Sequence, residues 1–428
     1  MNVSLPGQGA WRGGWRQGLS YGALGLPLAF VALPLYVVLP NHYASTFGVP
    51  LAVLGALLLG ARLLDAVADP WIGSWADRWF ARSAQRVLGV AIVAAVVLAA
   101  GFHALFFPPG RVQGDPSGLL VWAALTLAVT YLSYSVLSVL HQAWGARLGG
   151  GEAQRARIVS WREGLALLGV MVASVLPTVA GLGVASLVFC LALAAGVAML
   201  CFAPRPARAI TTAAPLAAPL HGTAFRRLLL IYLVNGVASA VPATLVLFFI
   251  RDRLQAQAFE PLFLAAYFAA GALSMPLWVR VVAVLGIARS WLLGMGLAVA
   301  SFAWAGWLGT GDVAAFAVVC IASGVALGAD LSLPGALLAG VIQRAGHGGR
   351  LEGGYFGWWN FATKLNLALA AGIALPLLQV FGYAPGGRSE SALRALTIAY
   401  CLLPCVLKLI AAALLYTHWI RREEGWTS

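Results

Sequence analysis

Arg62-Leu-Leu-Asp65-Ala-Val-Ala-Asp69-Pro70-Trp-Ile-Gly73-Ser-Trp-Ala-Asp77-Arg78 closes an apolar run that begins near Pro50. On an α-helix Asp65 and Asp69, four residues apart, share one face, and Arg62, three before Asp65, joins the same stripe. Three charges thus lie where lipid or packed helix is expected. Two carboxylates on an apolar helix repel each other and are costly to desolvate, so each needs a cation, a proton or a basic partner. Such a stripe requires other helices around it, and the rest of the chain reads as their supply.

Of the 428 residues, 61% are hydrophobic and 10% charged, with a mean hydropathy of +0.88. Soluble domains are about 45–50% apolar and about 25% charged, so that class is excluded. Apolar runs of the length needed to cross a hydrocarbon core of about 30 Å recur along the chain. A transmembrane β-barrel would show short alternating segments instead. The net charge of +13 does not point to nucleic acid, because the arginines cluster in alternate loops and set membrane topology. The five cysteines have no metal-like spacing with histidine and read as buried helix residues. His103, His141 and His418 have no Cys, Glu or Asp at ligand spacing around them. Neither an enzyme nor a bound cofactor is expected. No cleavable signal is expected either, since Met1 to Ser20 is polar and carries Arg12 and Arg16.

The runs predict helices near 19–40, 48–76, 87–107, 118–141, 157–181, 183–203, 226–250, 259–283, 287–308, 312–341, 355–382 and 392–416. The fifth and sixth are separated only by the turn Gly181-Leu-Gly183. The expected fold is all-α: a polytopic membrane protein of twelve transmembrane helices in two six-helix bundles. The first bundle is placed at 1–203, a cytoplasmic linker at 204–225 and the second bundle at 226–428. With both termini inside, eighteen Lys and Arg fall in inside loops and five in outside loops, an asymmetry that sets the orientation. The halves echo each other weakly. Met275-Pro276 falls in the eighth helix where Asp69-Pro70 falls in the second, with Gly271 and Met275 in place of the two acids. Two parallel repeats around a central cavity are a transporter plan, and the loss of acids from one copy places the ion chemistry in the first half.

Asp65 and Asp69, joined by Ser135, are the candidate cation or proton site. The alternative is a static charge network with Arg62 and Lys364. Lys364 lies in a polar island, Trp358-Trp-Asn360-Phe-Ala-Thr363-Lys364-Leu-Asn366, too deep for easy escape of its charge to the interface. It is the candidate coupling residue together with Arg62, while Trp359 and Asn360 are candidate substrate contacts. Arg162 can donate a forked pair of hydrogen bonds to a polar substrate, or serve a gate or a lipid phosphate. Tyr134, Ser138, Gln142 and Trp144 mark a polar side of the fourth helix and are candidate substrate-lining residues. Gly73, Asp77 and Arg78 read as a gate at the inside end of the second helix. Asp330 precedes Ser332 and Pro334, and Lys408 reads as snorkelling or packing.

Arg62-x-x-Asp65-x-x-x-Asp69-Pro70-x-x-Gly73 closely resembles the helix-two signature of the glycoside–pentoside–hexuronide:cation symporters, the melibiose-permease-like branch of the major facilitator superfamily. The resemblance extends to Tyr21-Gly22, to Arg162, and to the block from Gly328-Ala-Asp330-Leu-Ser-Leu-Pro334 through Gly353, Tyr355 and Phe356 to Lys364. It implies a twelve-helix symporter of the bacterial inner membrane, a functional monomer that moves a small solute with Na⁺, Li⁺ or H⁺ by rocking two bundles. By this resemblance Asp65 and Asp69 hold the cation, Lys364 couples the halves and Arg162 lines the substrate cavity. Sugar-transporting members carry an acid on helix one and another on helix four. Here Pro27 and Ser138 stand at those places, so the alternative cargo is a lysolipid or another amphipathic molecule.

Overall fold

Proline and glycine break an otherwise continuous pattern of apolar helix, and the computed structural model follows those breaks. It describes residues 11–206, 214–380, 382–383, 386 and 389–421. Arg208, Arg388 and Arg422, counted in the charge asymmetry, and residues 207–213 of the expected linker lie outside the described residues. Every regular element among those described is helical.

The first apolar segment is built from α1 (Trp15–Gly22), α2 (Gly25–Leu33), a π-helical turn (Pro34–Val38) and α3 (Leu39–Phe47). Pro34 and Pro40 each remove a ladder donor there. After Pro50 comes α4 (Leu51–Arg82), which ends at an extended Ser83 whose hydroxyl accepts from Arg86 N and so caps α5 (Ala84–Phe106). A short α6 (Gly110–Gln113) leads to α7 (Pro116–Arg147). Asp115 caps α7, accepting from Ser117 N, Ser117 Oγ and Gly118 N. These hydrogen bonds, the Ser117 hydroxyl first, hold its carboxyl below the usual range. Next is α8 (Glu152–Cys201), followed by α9 (Ala218–His221) and α10 (Thr223–Phe248). The remainder is α11 (Glu260–Leu285), α12 (Ile287–Ala305), α13 (Val313–Arg344), α14 (Glu352–Val380), α15 (Glu390–Thr397) and α16 (Leu403–Leu415).

Ten helical segments among the described residues are long and apolar enough to cross a membrane. One of them is the 50-residue α8. At 1.5 Å per residue it would reach about 75 Å, more than twice the hydrocarbon thickness. It does not run straight through: Gly181 leaves helical geometry at φ 82°, ψ 165°, a conformation glycine adopts at little cost. The break falls at the expected Gly181-Leu-Gly183 turn. The 32-residue α4 carries the Arg62–Asp69 stripe and is also long enough to span, at about 48 Å. The expected inside ends of the second, fourth and tenth helices were placed too early. They run on to Arg82, Arg147 and Arg344, since arginine is a good helix former and favoured at helix C-termini by the macrodipole.

The chain divides into two compact units. The first is Met1–Pro219 with Ala339–Phe361, the second Leu220–Leu338 with Ala362–Ser428. In the first, α2 and α1 pack on α8, and α5 and α4 pack on α7. In the second, α16 packs on α10 and α12. The second unit's core centres on Phe249, whose ring stacks on Tyr400 at 4.3 Å between centroids. Large apolar side chains such as Val179, Leu273, Val284 and Trp307 stand exposed, as lipid-facing positions require.

Candidate functional site

In the first unit, α4 carries Asp65 and Asp69 into the packed interior, where they are 3% and 0% exposed. Four-residue spacing stacks them on one face of α4, and α7 lies against that helix. Ser135 of α7 donates its hydroxyl to Asp65 Oδ1 at 2.5 Å. Pro70 lies inside α4 and has no N–H to offer the carbonyl of Ala66, so a ladder bond is missing between the two acids. Two carboxylates and a hydroxyl form a hard, all-oxygen donor set, suited to Na⁺ or to a shared proton rather than to a soft transition metal. Among the described residues no group of three or more His, Cys, Asp or Glu is placed to hold a metal ion.

Arg62 is brought to the same region but not onto the acids. Its guanidinium lies over the Tyr36 ring, 3.4 Å from the centroid, and Tyr36 in turn neighbours Tyr131, with centroids 6.4 Å apart. A signal for Tyr36 in the sequence went unused: it stands two residues after Pro34 in a segment that also carries Pro27 and Pro40. Lys364 is half-buried on α14 in the second unit.

The candidate substrate residues fare unequally. Tyr134 is half-buried on α7. Gln142 Nε2 donates to Ser138 Oγ at 3.1 Å, and Gln142 Oε1 is buried without a donor among the described residues, so this pair retains acceptor capacity for a ligand. Trp359 and Asn360 are buried near the end of the first unit's share of α14. Arg162 spends its fork on its chain neighbour: Nε and Nη2 donate to Glu163 Oε1 at 2.8 and 2.6 Å. Trp144 is a correction. Its indole is fully buried, donates to Pro204 O at 2.9 Å and meets the Phe80 ring edge-on, so it is a packing residue, not a lining one. His141 is likewise engaged: its Nε2 meets Tyr21 O at 2.7 Å while Tyr21 Oη donates to His141 O.

Of the residues expected to form a gate, Gly73 and Asp77 lie in one cluster and Arg78 does not. A Cβ on Gly73 would collide with the carbonyl of Gly353, and one on Gly353 with the carbonyl of Gly73. Glycine at both positions therefore lets α4 and the start of α14 touch backbone to backbone. Asp77 then accepts from Gly353 N at 2.7 Å and Gly354 N at 2.8 Å, which places a carboxylate at the positive end of α14. Its basic partner is not Arg78, which is exposed, but Arg147 at the end of α7, at 2.8 Å. Arg147 also pairs with Glu352 at 2.9 Å and lies over Phe80. Arg78 follows Asp77 directly, and adjacent residues on a helix point in different directions. Glu352 went unnoticed in the sequence, though an acid in the first turn of a helix is a recognisable pattern.

Removing the cation at the centre of this cluster would leave two carboxylates buried together. Arg147→Gln is therefore expected to loosen the start of α14. Amide hydrogen exchange over residues 349–357 should rise by about tenfold or more, while exchange in α12 of the second unit stays the same. Unchanged exchange over 349–357 would show that Arg147 does not hold the start of α14.

The second unit holds its own intramembrane ion pair, which the sequence reading did not join. Lys408 does not snorkel: it is buried, and its Nζ donates to Asp330 Oδ2 at 2.5 Å, Asn235 Oδ1 at 2.8 Å and Ser239 Oγ at 3.0 Å. Asp330 also accepts from Asn235 Nδ2, Ser239 Oγ and Trp291 Nε1 at 3.0–3.1 Å. Three donors on the ammonium and both carboxylate oxygens are satisfied, which explains why a lysine is tolerated in mid-helix.

With this geometry in view, the similarities to known proteins can be placed. A family model described as MFS/sugar transport protein matches residues 20–422. The inner membrane symporter YicJ of Escherichia coli K12 is 31% identical over 137 residues, 31% of this chain and 28% of that protein. The putative glycoside/cation symporter YagG of the same organism is 28% identical over 170 residues, 39% of this chain and 35% of that protein. The matched stretch thus spans about a third of the length of these curated relatives. Among solved structures, the human organic anion transporter MFSD10 superposes with a TM-score of 0.66 at 17% identity, covering 94% of this chain and 99% of that one. A bacterial homologue of the iron transporter ferroportin, outward-facing, gives 0.67 at 18% identity, covering 93% and 99%. The transporter FucP in its outward conformation gives 0.66 at 11%, covering 92% and 98%. At such identities these likenesses establish the fold alone. The family match over nearly the whole chain does more: this chain belongs to the MFS/sugar transport protein family.

Proposed function

We propose that the protein is a secondary active transporter that moves a small, sugar-like solute together with H⁺ or Na⁺ by alternating access. The observation that carries this reading is the pair of buried carboxylates, Asp65 and Asp69, with Ser135 on Asp65. A buried acid pair is costly unless a partner ion or proton relieves it, and a transported cation supplies that relief conditionally. The printed names of the two curated relatives, a symporter and a putative glycoside/cation symporter, support the same class. Arg62 and Lys364 serve as coupling residues, Tyr134, Ser138, Gln142, Trp359, Asn360 and Arg162 face the substrate, and the Gly73–Asp77–Arg147–Glu352 latch gates the inside. The chain is placed in a bacterial inner membrane, with both termini cytoplasmic and as a functional monomer. Twelve spanning helices form two six-helix bundles, at 1–203 and 226–428.

The second reading, a lysolipid or other amphipathic cargo, is favoured by the absence of any Asp or Glu between Met1 and Arg62. Proteoliposomes holding the purified protein separate the two. Glycosides, pentosides and hexuronides should accumulate only under an imposed inward Na⁺ or H⁺ gradient, and spin-labelled lysolipid should not. Gradient-dependent movement of lysolipid alone would transfer the assignment to the second reading. Equal uptake with and without either gradient would overturn symport.

A further inference from the structure

Arg62 precedes Asp65 by three residues, a spacing at which opposite charges on a helix ordinarily pair. Inside a bilayer that pairing would be strongly favoured, and it would occupy the carboxylate oxygens a transported cation needs. The structure holds the guanidinium elsewhere. Its central carbon stands 3.4 Å from the centroid of the Tyr36 ring, a stacking distance. The ring is brought there by the π-helical turn Pro34–Val38. A π-turn adds a residue to one turn of helix and so rotates the side chains that follow by about 100° relative to an unbroken α-helix. The buried Tyr131 backs the Tyr36 ring from α7. Asp65 meanwhile accepts from the Ser135 hydroxyl of α7.

From this arrangement we infer that Tyr36 is a positioning residue which parks the Arg62 charge on its ring and so keeps that guanidinium from competing with the transported cation for Asp65 and Asp69. The inference rests on the cation-site reading above. It makes an aromatic on the first membrane segment, which carries no Asp or Glu, a determinant of cation affinity. With the ring removed, the guanidinium is released to the acid one turn away and competes with the cation from within.

The test uses the purified full-length protein in nanodiscs, with tryptophan fluorescence followed during Na⁺, Li⁺ and pH titrations. Tyr36→Leu is expected to raise the half-saturating cation concentration by about tenfold, or to move a proton response about one pH unit lower. Tyr36→Phe, which keeps the ring, should stay within about twofold of wild type. The decisive variant is Tyr36→Leu combined with Arg62→Gln, which should return to the value of Arg62→Gln alone, because the competitor is gone. A packing role for Tyr36 would not be relieved in that way. Tyr36→Leu within about twofold of wild type, or a double variant as weak as Tyr36→Leu, overturns the inference. Should Tyr36→Leu fail to fold, Tyr36→Trp carries the test, since indole binds guanidinium better: a lower half-saturating concentration supports the role, and an unchanged or higher one overturns it. Asp69→Asn separates the two levels. If that variant still responds as wild type does, or if wild type answers to none of the three ions, the cation site itself falls. If Asp69→Asn is silent while Tyr36→Leu is unchanged, only the role of Tyr36 falls.

Discussion

Asp69→Asn is expected to abolish gradient-driven accumulation while leaving the protein folded. The side chain is fully buried on the acid face of α4, one turn beyond Asp65. The amide has nearly the same shape but no charge, so packing is retained and the electrostatic attraction for a cation is lost. One unit charge at about 4 Å and an effective dielectric of about 20 amounts to about 4 kcal/mol, on the order of a thousandfold in cation affinity. On the proposed alternating-access cycle, facilitated exchange of solute down its own gradient should persist to a measurable degree. The measurement is initial uptake into proteoliposomes with and without imposed Na⁺ and H⁺ gradients, set against the unfolding midpoint of the same preparation. An Asp69→Asn protein that concentrates solute as wild type does would refute the assignment of this residue.

Lys408→Met should produce the largest loss of stability in the second unit. Wild-type Lys408 gives Asp330 its only full counter-charge among the described residues, and the methionine leaves a buried carboxylate with neutral donors alone from Asn235, Ser239 and Trp291. Breaking one side of a buried pair costs about 3–5 kcal/mol. For a unit of this size that lowers the unfolding midpoint by at least about 6 °C. Asp330→Asn combined with Lys408→Met should lose markedly less than the two single losses added together, because no unpaired charge remains. Intrinsic fluorescence melts of the four proteins of this cycle give the coupling directly. Additive losses would show that the two groups do not depend on each other. A pair this fully hydrogen-bonded holds α16 against α10 and α13, and has no acceptor to spare for a travelling ion.

The gate shows how far sequence reasoning reaches at a single cluster. The Gly73-x-x-x-Asp77 spacing announced a close helix approach beside an acid, and both features are present. The partners themselves were not legible, because Arg147 is 70 residues away and Gly353 276 residues away. Helical periodicity says which residues share a face but not which distant helix covers it. Trp144 failed for a related reason. An indole at cavity depth and an indole packed beneath a loop have the same local sequence, and only the carbonyl of Pro204 distinguishes them.

The membrane class, the helical fold, the break at Gly181 and the location of the acid stripe were set by residue order alone. Run length, the glycine and proline breaks and charge asymmetry act over a few turns and need no long-range partner. Tertiary structure alone decided what three of the charges meet: Arg147 for Asp77, Lys408 for Asp330 and the Tyr36 ring for Arg62. In a medium without water these charges find their complements across helices, and those pairings depend on packing angles and register that no local pattern encodes.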